Sequence, residues 1–384
     1  MFKKFLLIAA VAYAMPLVSC SDDDNNSNEP EVPVNSADID YNSDNAASWG
    51  NYMYQVSALL KKDATTLYDA WQTSYEGGVA YSEIFKKHNN NQYSSAESCI
   101  QQIIDGCVVI ASEVGTAKIG DPYNLYVSGQ TTQALYAVES WYSWHSRDDY
   151  TNNIYSIQNS YYGSTDGSIN PNSISALVAE INPELDVEVK TAIKNAANAI
   201  QAIPQPFRNH INSREAVAAM SACAELVDVM DIKLKSAVTG LTGRDAQLQA
   251  IVDSYVDVVV LPTYKALKEK NEALHQAVTN FKNSSSNAAF EAACNAWLVA
   301  REPWEKSEAF LFGPVDALGL DPNMDSWPLD QDAIVQILNS GNYNDLNWSD
   351  SDSDDAIEAA QSVRGFHTLE FLLFKNGNPR TINN

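Results

Sequence analysis

Apolar side chains recur along most of this chain every three or four residues, and strict alternation is scarce. Over 49–75 the apolar positions Tyr52, Val56, Leu59, Leu60, Leu67 and Trp71 fall at helical spacing. Ser95 is the expected N-cap of a helix carrying Ile100, Ile103, Ile104, Cys107, Val108 and Ala111. Residues 130–162 read as one long aromatic-rich helix. Residues 184–203 and 213–238 read as alanine-rich helices, the former stopped by Pro204 and Pro206. Gly240-Leu241-Thr242-Gly243 breaks the pattern, which restarts with a helix over 245–281 that Pro262 should kink or split. Further helices are expected over 288–311, near 330–338, and from the acidic caps at 351–355 to Lys375-Asn376-Gly377. The only β-branched run, 256–261, lies between helical flanks. The fold class is therefore all-α. Two bundles of about four helices each are the natural packing, one over 41–240 and one over 241–384.

The first forty residues follow another logic. Lys3 and Lys4 precede an apolar run over 5–18, too short to span a bilayer as a helix. It ends in Leu17-Val18-Ser19-Cys20, which resembles the lipobox of bacterial lipoproteins, where cleavage precedes the Cys and the Cys is lipidated. The alternative is an ordinary secretory signal with a chance Cys. Residues 21–40 are acidic and polar and are expected to form a disordered tether. The acidic run after Cys20 also resembles the surface-export signal of Bacteroidetes lipoproteins. These features predict an outer-membrane lipoprotein, on the cell surface or the periplasmic face, held to the membrane through Cys20. No later run is long or apolar enough to cross a bilayer.

The formal charge of -25 argues against nucleic acid and anionic lipid as partners. It suits a cationic ligand, although acidic surfaces also serve solubility. Cys99, Cys107, Cys223 and Cys294 form no CxxC pair, so a structural zinc site is not expected. Buried thiols are expected at Cys99 and Cys107 rather than a disulfide framework.

The chemistry concentrates in "RGFHTLEFLLF", residues 364–374. His367 and Glu370 stand at i and i+3, hence on one face of a helix that is apolar nearly all round and so predicted to be buried. A buried carboxylate needs a hydrogen-bond partner, a cation or a proton. Gly365 beside them implies close approach of another backbone. A satisfied core His with Glu370 bonded to backbone or Arg is the plainer reading. Zinc-peptidase motifs need a further His, but residue 371 is Phe and no His follows 367. Ligands would therefore come from other helices. Arg301 and Glu308 lie seven apart, with Trp304 and Glu305 between them. Glu113 sits at a helix end, with Lys118 beyond it. Glu139, Ser143 and Arg147 are expected on one helical face near Trp141, Trp144 and Asp149. Taken singly, a solvated surface ion pair or an aromatic core stripe is the plainer reading of each group.

Taken together, Gly365-x-His367-x-x-Glu370 with Leu372-Leu373 resembles the GxHxxE signature of the imelysin-like family. Arg301-x-x-Trp304-x-x-x-Glu308 followed by Phe312-Gly313 resembles its second marker. The loop Trp327-Pro328-Leu329-Asp330 and the stretches 110–122 and 139–162 fit as well. The resemblance implies two similar four-helix bundles with a site between them. The GxHxxE bundle comes last here, so the chain looks circularly permuted. The family was named for peptidase activity, but the role the resemblance implies is iron uptake. By the same resemblance His367, Glu370 and Glu308 would hold the metal beside Arg301 and Gly365. Glu113, Ser143 and Glu139 would face them from the first bundle. The expected ligand is iron or an iron-bearing molecule, with zinc less expected, and an envelope transporter is the expected partner. Two alternatives remain. One is an HxxE-type metallopeptidase. The other is a glycan-binding lipoprotein, suggested by 19 Tyr and 8 Trp and favoured if Trp141, Tyr142 and Trp144 are exposed.

Overall fold

A computed structural model describes residues 39–349 and 351–382; the signal segment, Cys20 and most of the expected tether lie outside them. Eight principal helices carry the fold. They are α1 (Ala46–Gln72), α2 (Ala96–Glu113), α3 (Ser146–Tyr162), α4 (Pro183–Gln201), α5 (Arg214–Asp228), α6 (Leu261–Asn283), α7 (Asn287–Glu305) and α8 (Gly365–Leu373). Local signals start several of them. The Ser95 hydroxyl accepts from Ser98 N at 3.1 Å, and Ser98 answers the Ser95 N–H in a capping box. Ser213 and Ser286 cap α5 and α7, and Asn182 caps α4 with Pro183 in its first turn.

Helices α2, α3, α4 and α5 pack in one closed ring, and α1, α6, α7 and α8 in another. Each ring buries the apolar stripe of its members. Along α1 that stripe is Trp49, Tyr52, Val56, Leu60 and Leu67. Packing thus crosses the break expected at Gly240, because α1 lies along α6 and α8 rather than with the helices that follow it in sequence. All described residues belong to one compact unit. Residues 240–243 form turns, with positive φ at Gly240 and Gly243, and do not divide two separate bodies.

Several long expected helices are interrupted. The 245–281 helix splits into Asp245–Ser254, a wide π turn over Tyr255–Val260, and α6. The backbone stays helical through the π turn, so Pro262 removes an N–H within a continuous helix, and the wide turn lies directly before it. The last helix divides into Asp354–Gln361 and α8, followed by a small antiparallel hairpin of β1 (Phe374–Lys375) and β2 (Asn378–Pro379). The 288–311 helix ends at Glu305, and Glu308–Phe310 forms a separate 3-10 turn. The most consequential break lies within 130–162. A helix over Thr131–Ala137 stops, residues 138–145 are irregular, and α3 begins at Ser146. All four cysteines among the described residues are buried and free. Among the described residues no helix is long and apolar enough to cross a membrane.

Candidate functional site

Helix α8 is pinned through its backbone. Trp297 Nε1 donates to Phe366 O at 2.9 Å and Trp49 Nε1 to Leu372 O at 3.0 Å, so both rings hold carbonyls of the buried helix. Gly365 opens α8 with φ +86°, and a Cβ there would lie 2.5 Å from Met324 O. The close approach expected at this Gly is present, and its partner is the backbone of a short helix, Leu320–Asp325, where the sequence suggested a loop.

The His367 and Glu370 side chains are fully buried and bonded to each other, His367 Nδ1 to Glu370 Oε2 at 3.0 Å. The other oxygen, Glu370 Oε1, accepts from the backbone N–H of Ser143 at 2.8 Å and from its hydroxyl at 2.7 Å. The irregular 138–145 segment makes this possible. Positive φ at Ser140 and Trp144 folds the chain back on itself, and Ser146 Oγ closes onto Glu139 O at 2.5 Å. A continuous helix would have used the Ser143 N–H internally.

On its far side His367 Nε2 meets Asp325 Oδ1 at 3.1 Å and Glu139 Oε1 at 3.2 Å. Arg301, with no exposed surface, hydrogen-bonds Asp325 and, at 2.9 Å, Glu139; its Nη2 pairs by charge with Glu305 Oε1 at 2.6 Å, and its Nε lies 3.7 Å from Asp149 Oδ2. Lys118 Nζ bonds Glu139 Oε2 at 2.9 Å and stands 3.9 Å from Glu308 and 4.0 Å from Glu113. The π turn Val114–Lys118 at the end of α2 turns Lys118 inward. Glu113 is the half-exposed member, its side chain 46% accessible.

Carboxyl groups outnumber the cations in this cluster, and protonation states adjust. Burial and the Arg301 charge would keep His367 neutral, but hydrogen bonds to Asp325 and Glu139 outweigh them and hold its pKa well above the usual value. Its 3.3 Å contact with Arg301 Nη2 is then an approach of two donors across the shared Glu139 oxygen. Burial would raise Glu139 too, but Lys118 and the His367 hydrogen bond bring it down to about 2. Burial pushes Glu305 up to about 8 despite the Arg301 guanidinium, and lifts Glu308 well above the usual range despite Lys118. Part of the surplus negative charge is thus neutralised by protons.

Among the described residues two groups of ligand atoms come within 4.8 Å of one another: Glu139, Asp325 and His367, and Glu305, Glu308 and Asp325. The expected set of His367, Glu370 and Glu308 therefore does not fall into one group. Glu370 stands behind the imidazole, where it fixes the ring, and Glu308 belongs to the second group. Asp325 joins the two. Arg301, Gly365, Ser143, Glu139 and Glu113 all reach the cluster, Glu113 at its outer edge. Arg147 does not; it donates to Gln201 O and Ile203 O. Asp325 carried no signal in the sequence beyond being one acid among many in a Pro-rich loop.

Stability should respond to pH. Burial lowers His145, but Asp149 at 2.8 Å raises it from 6.5 to about 9, and Glu305 rises from 4.5 to about 8. Both groups hold protons more tightly when folded. Their contributions are full below the unfolded pKa values and fade as pH climbs through 8 to 9. The thermal midpoint of the metal-free protein is expected to fall between pH 6 and pH 9. A flat or rising midpoint would contradict the assignment.

The family model for imelysin, a peptidase family, matches residues 24–231 and 260–384. The fold is similar to the crystal structure of an imelysin peptidase from Bacteroides ovatus, at 63% identity and a TM-score of 0.89, covering 90% of this chain and 99% of that one. A stretch of 128 residues is 33% identical to "Iron-regulated protein A" of Synechococcus elongatus. That stretch is 33% of this chain and 32% of the relative, so the match spans about a third of the relative's length.

Proposed function

The chain belongs to the imelysin family, and on that premise we propose that it is a cell-envelope protein that holds a hard metal cation, iron foremost, in the charge cluster between its two bundles. The observation that carries this reading is the junction at Asp325, which a group with His367 and Glu139 shares with a group of Glu305 and Glu308. The donor set is mostly carboxylate oxygen with a single nitrogen and no thiolate, which suits iron better than a structural zinc. The Glu370–His367 bond gives the arrangement in which a carboxylate orients the imidazole and its far nitrogen, Nε2, faces the metal. Cation binding would displace the proton on Nε2 and protons held by Glu305 and Glu308, so affinity should rise with pH. The name of the Synechococcus elongatus relative supports an iron-linked role. The lipid anchor at Cys20, the outer-membrane address, delivery to an envelope transporter and the permuted order of the bundles belong to the same reading.

Equilibrium titration of the metal-free protein with Mn²⁺, and with Fe²⁺ under anaerobic conditions, tests it. His367→Ala removes a ligand and should abolish saturable binding. Glu370→Gln should weaken it by about 10- to 100-fold, as loss of a group orienting a ligand does. Identical affinities in all three proteins would sink metal binding here.

The name of the Bacteroides ovatus relative favours a peptidase, which at this cluster would use a metal. Complete burial of His367, Arg301 and Glu305 argues against a polypeptide reaching the cluster in this conformation. Chelator-sensitive cleavage lost in Glu370→Gln would restore that reading. Burial of Trp141 and Tyr142 counts against the glycan-binding alternative.

A further inference from the structure

We propose that Arg208, stacked on Trp141, forms a separate binding site for a small oxygen-rich anion of the hydroxy-polycarboxylate class. Arg208 lies in the short turn Phe207–Asn209 between α4 and α5 and is 7% exposed. Its Nε and Nη1 find no hydrogen-bond acceptor among the described residues. The other buried arginines each have a carboxylate: Arg301 the cluster, Arg364 Asp63, and Arg380 Asp40 at 2.9 Å. Arg208 instead lies 4.1 Å over the Trp141 ring. The indole Nε1 of Trp141, itself 8% exposed, also lacks an acceptor.

Magnitudes decide what this arrangement means. A cation–π contact recovers only part of what burying an unpaired ion costs. The ring does not offset the burial. Burial also brings the Arg208 pKa down to about 10, which leaves the group cationic at neutral pH. The geometry thus points to an anion from outside the described residues. Nε–H and Nη1–H leave the guanidinium on different edges, so one carboxylate cannot reach both; a ligand with several acceptor oxygens can. Carboxylates on separate arms of one molecule can meet donors on separate edges, which a compact phosphate spans less readily. Burial, not the cluster's acids, dominates the surroundings of Arg208, although Trp141 shares the 138–145 segment with Glu139 and Ser143.

Citrate is the probe, titrated calorimetrically into chelator-washed full-length protein, with inorganic phosphate as the second arm. Wild type should bind citrate saturably. Arg208→Met should weaken binding about tenfold or more, the worth of a charge-assisted hydrogen bond. Trp141→Phe should weaken it severalfold, and phosphate should bind more weakly than citrate. Removing an unpaired buried charge should leave the thermal midpoint of Arg208→Met unchanged or raised, and citrate should raise the midpoint of wild type alone. If Arg208→Met fails to fold, Arg208→Lys decides the matter, being expected to fold and bind more weakly. No saturable citrate binding in wild type, or equal affinity in the Arg208 variant, would overturn the site. Phosphate binding as tightly as citrate would overturn the ligand class.

Discussion

Arg301→Met is expected to destabilise the protein by about 3–5 kcal/mol, the cost of leaving buried charges without their partner. Arg301 has no exposed surface and touches four acids, Asp325, Glu139, Glu305 and Asp149. Without it those carboxyls face one another, and only protons can relieve them. The loss should therefore be smaller at pH 5 than at pH 8. Urea unfolding at the two pH values measures both effects, and Arg301→Lys should lose less than Met because it restores the charge without the fork. On the metal reading, Mn²⁺ should return part of the loss, about 2.7 kcal/mol at a hundredfold excess over Kd. A loss below about 1 kcal/mol, the range of ordinary surface changes, would mean that the guanidinium does not hold the cluster together.

Gly365→Ala should be nearly as damaging, for a different reason. A positive φ costs a side-chain-bearing residue about 1–2 kcal/mol. At Gly365 the new Cβ would also meet Met324 O at 2.5 Å and Met324 C at 2.8 Å, and neither backbone atom can move without the short helix Leu320–Asp325. Met324 precedes Asp325, so relief of the clash displaces the group shared by both ligand sets. The expected result is a loss of about 3 kcal/mol or more, together with weaker Mn²⁺ affinity. Gly319→Ala is the control. Its φ is +60° and nothing lies within 4 Å of a Cβ there, so it should lose only the conformational part. Equal losses in the two variants would show that close packing against Met324 has no role.

The same Gly illustrates how much could be read beforehand. Its place beside His367 in an apolar run suggested close approach of another backbone, and that approach exists, but the partner at Met324 could not be named. The helical faces of α1, α2, α4 and α5 followed from period-3.6 spacing, and the start of α2 from the Ser95 cap, both local properties. The interruption at 138–145 escaped the same reasoning. Its residues continue a helical pattern, and only bonds to a helix more than two hundred positions away make the break worthwhile: Ser143 N–H and hydroxyl to Glu370. Asp325 escaped for a related reason, since an acid in a loop is ordinary until Arg301, His367 and Trp304 converge on it.

By itself, then, the chain determined an all-α fold, the family signature and the residues His367, Glu370 and Arg301 that had to be answered once buried. Periodicity and the cost of burying charge act on short stretches and can be read from them. Tertiary structure decided that α1 joins the last helices, that Glu370 orients His367 while Asp325 faces its free nitrogen, and that protons neutralise part of the acid surplus. Those outcomes depend on which distant groups share one low-dielectric space, and sequence spacing carries no record of that.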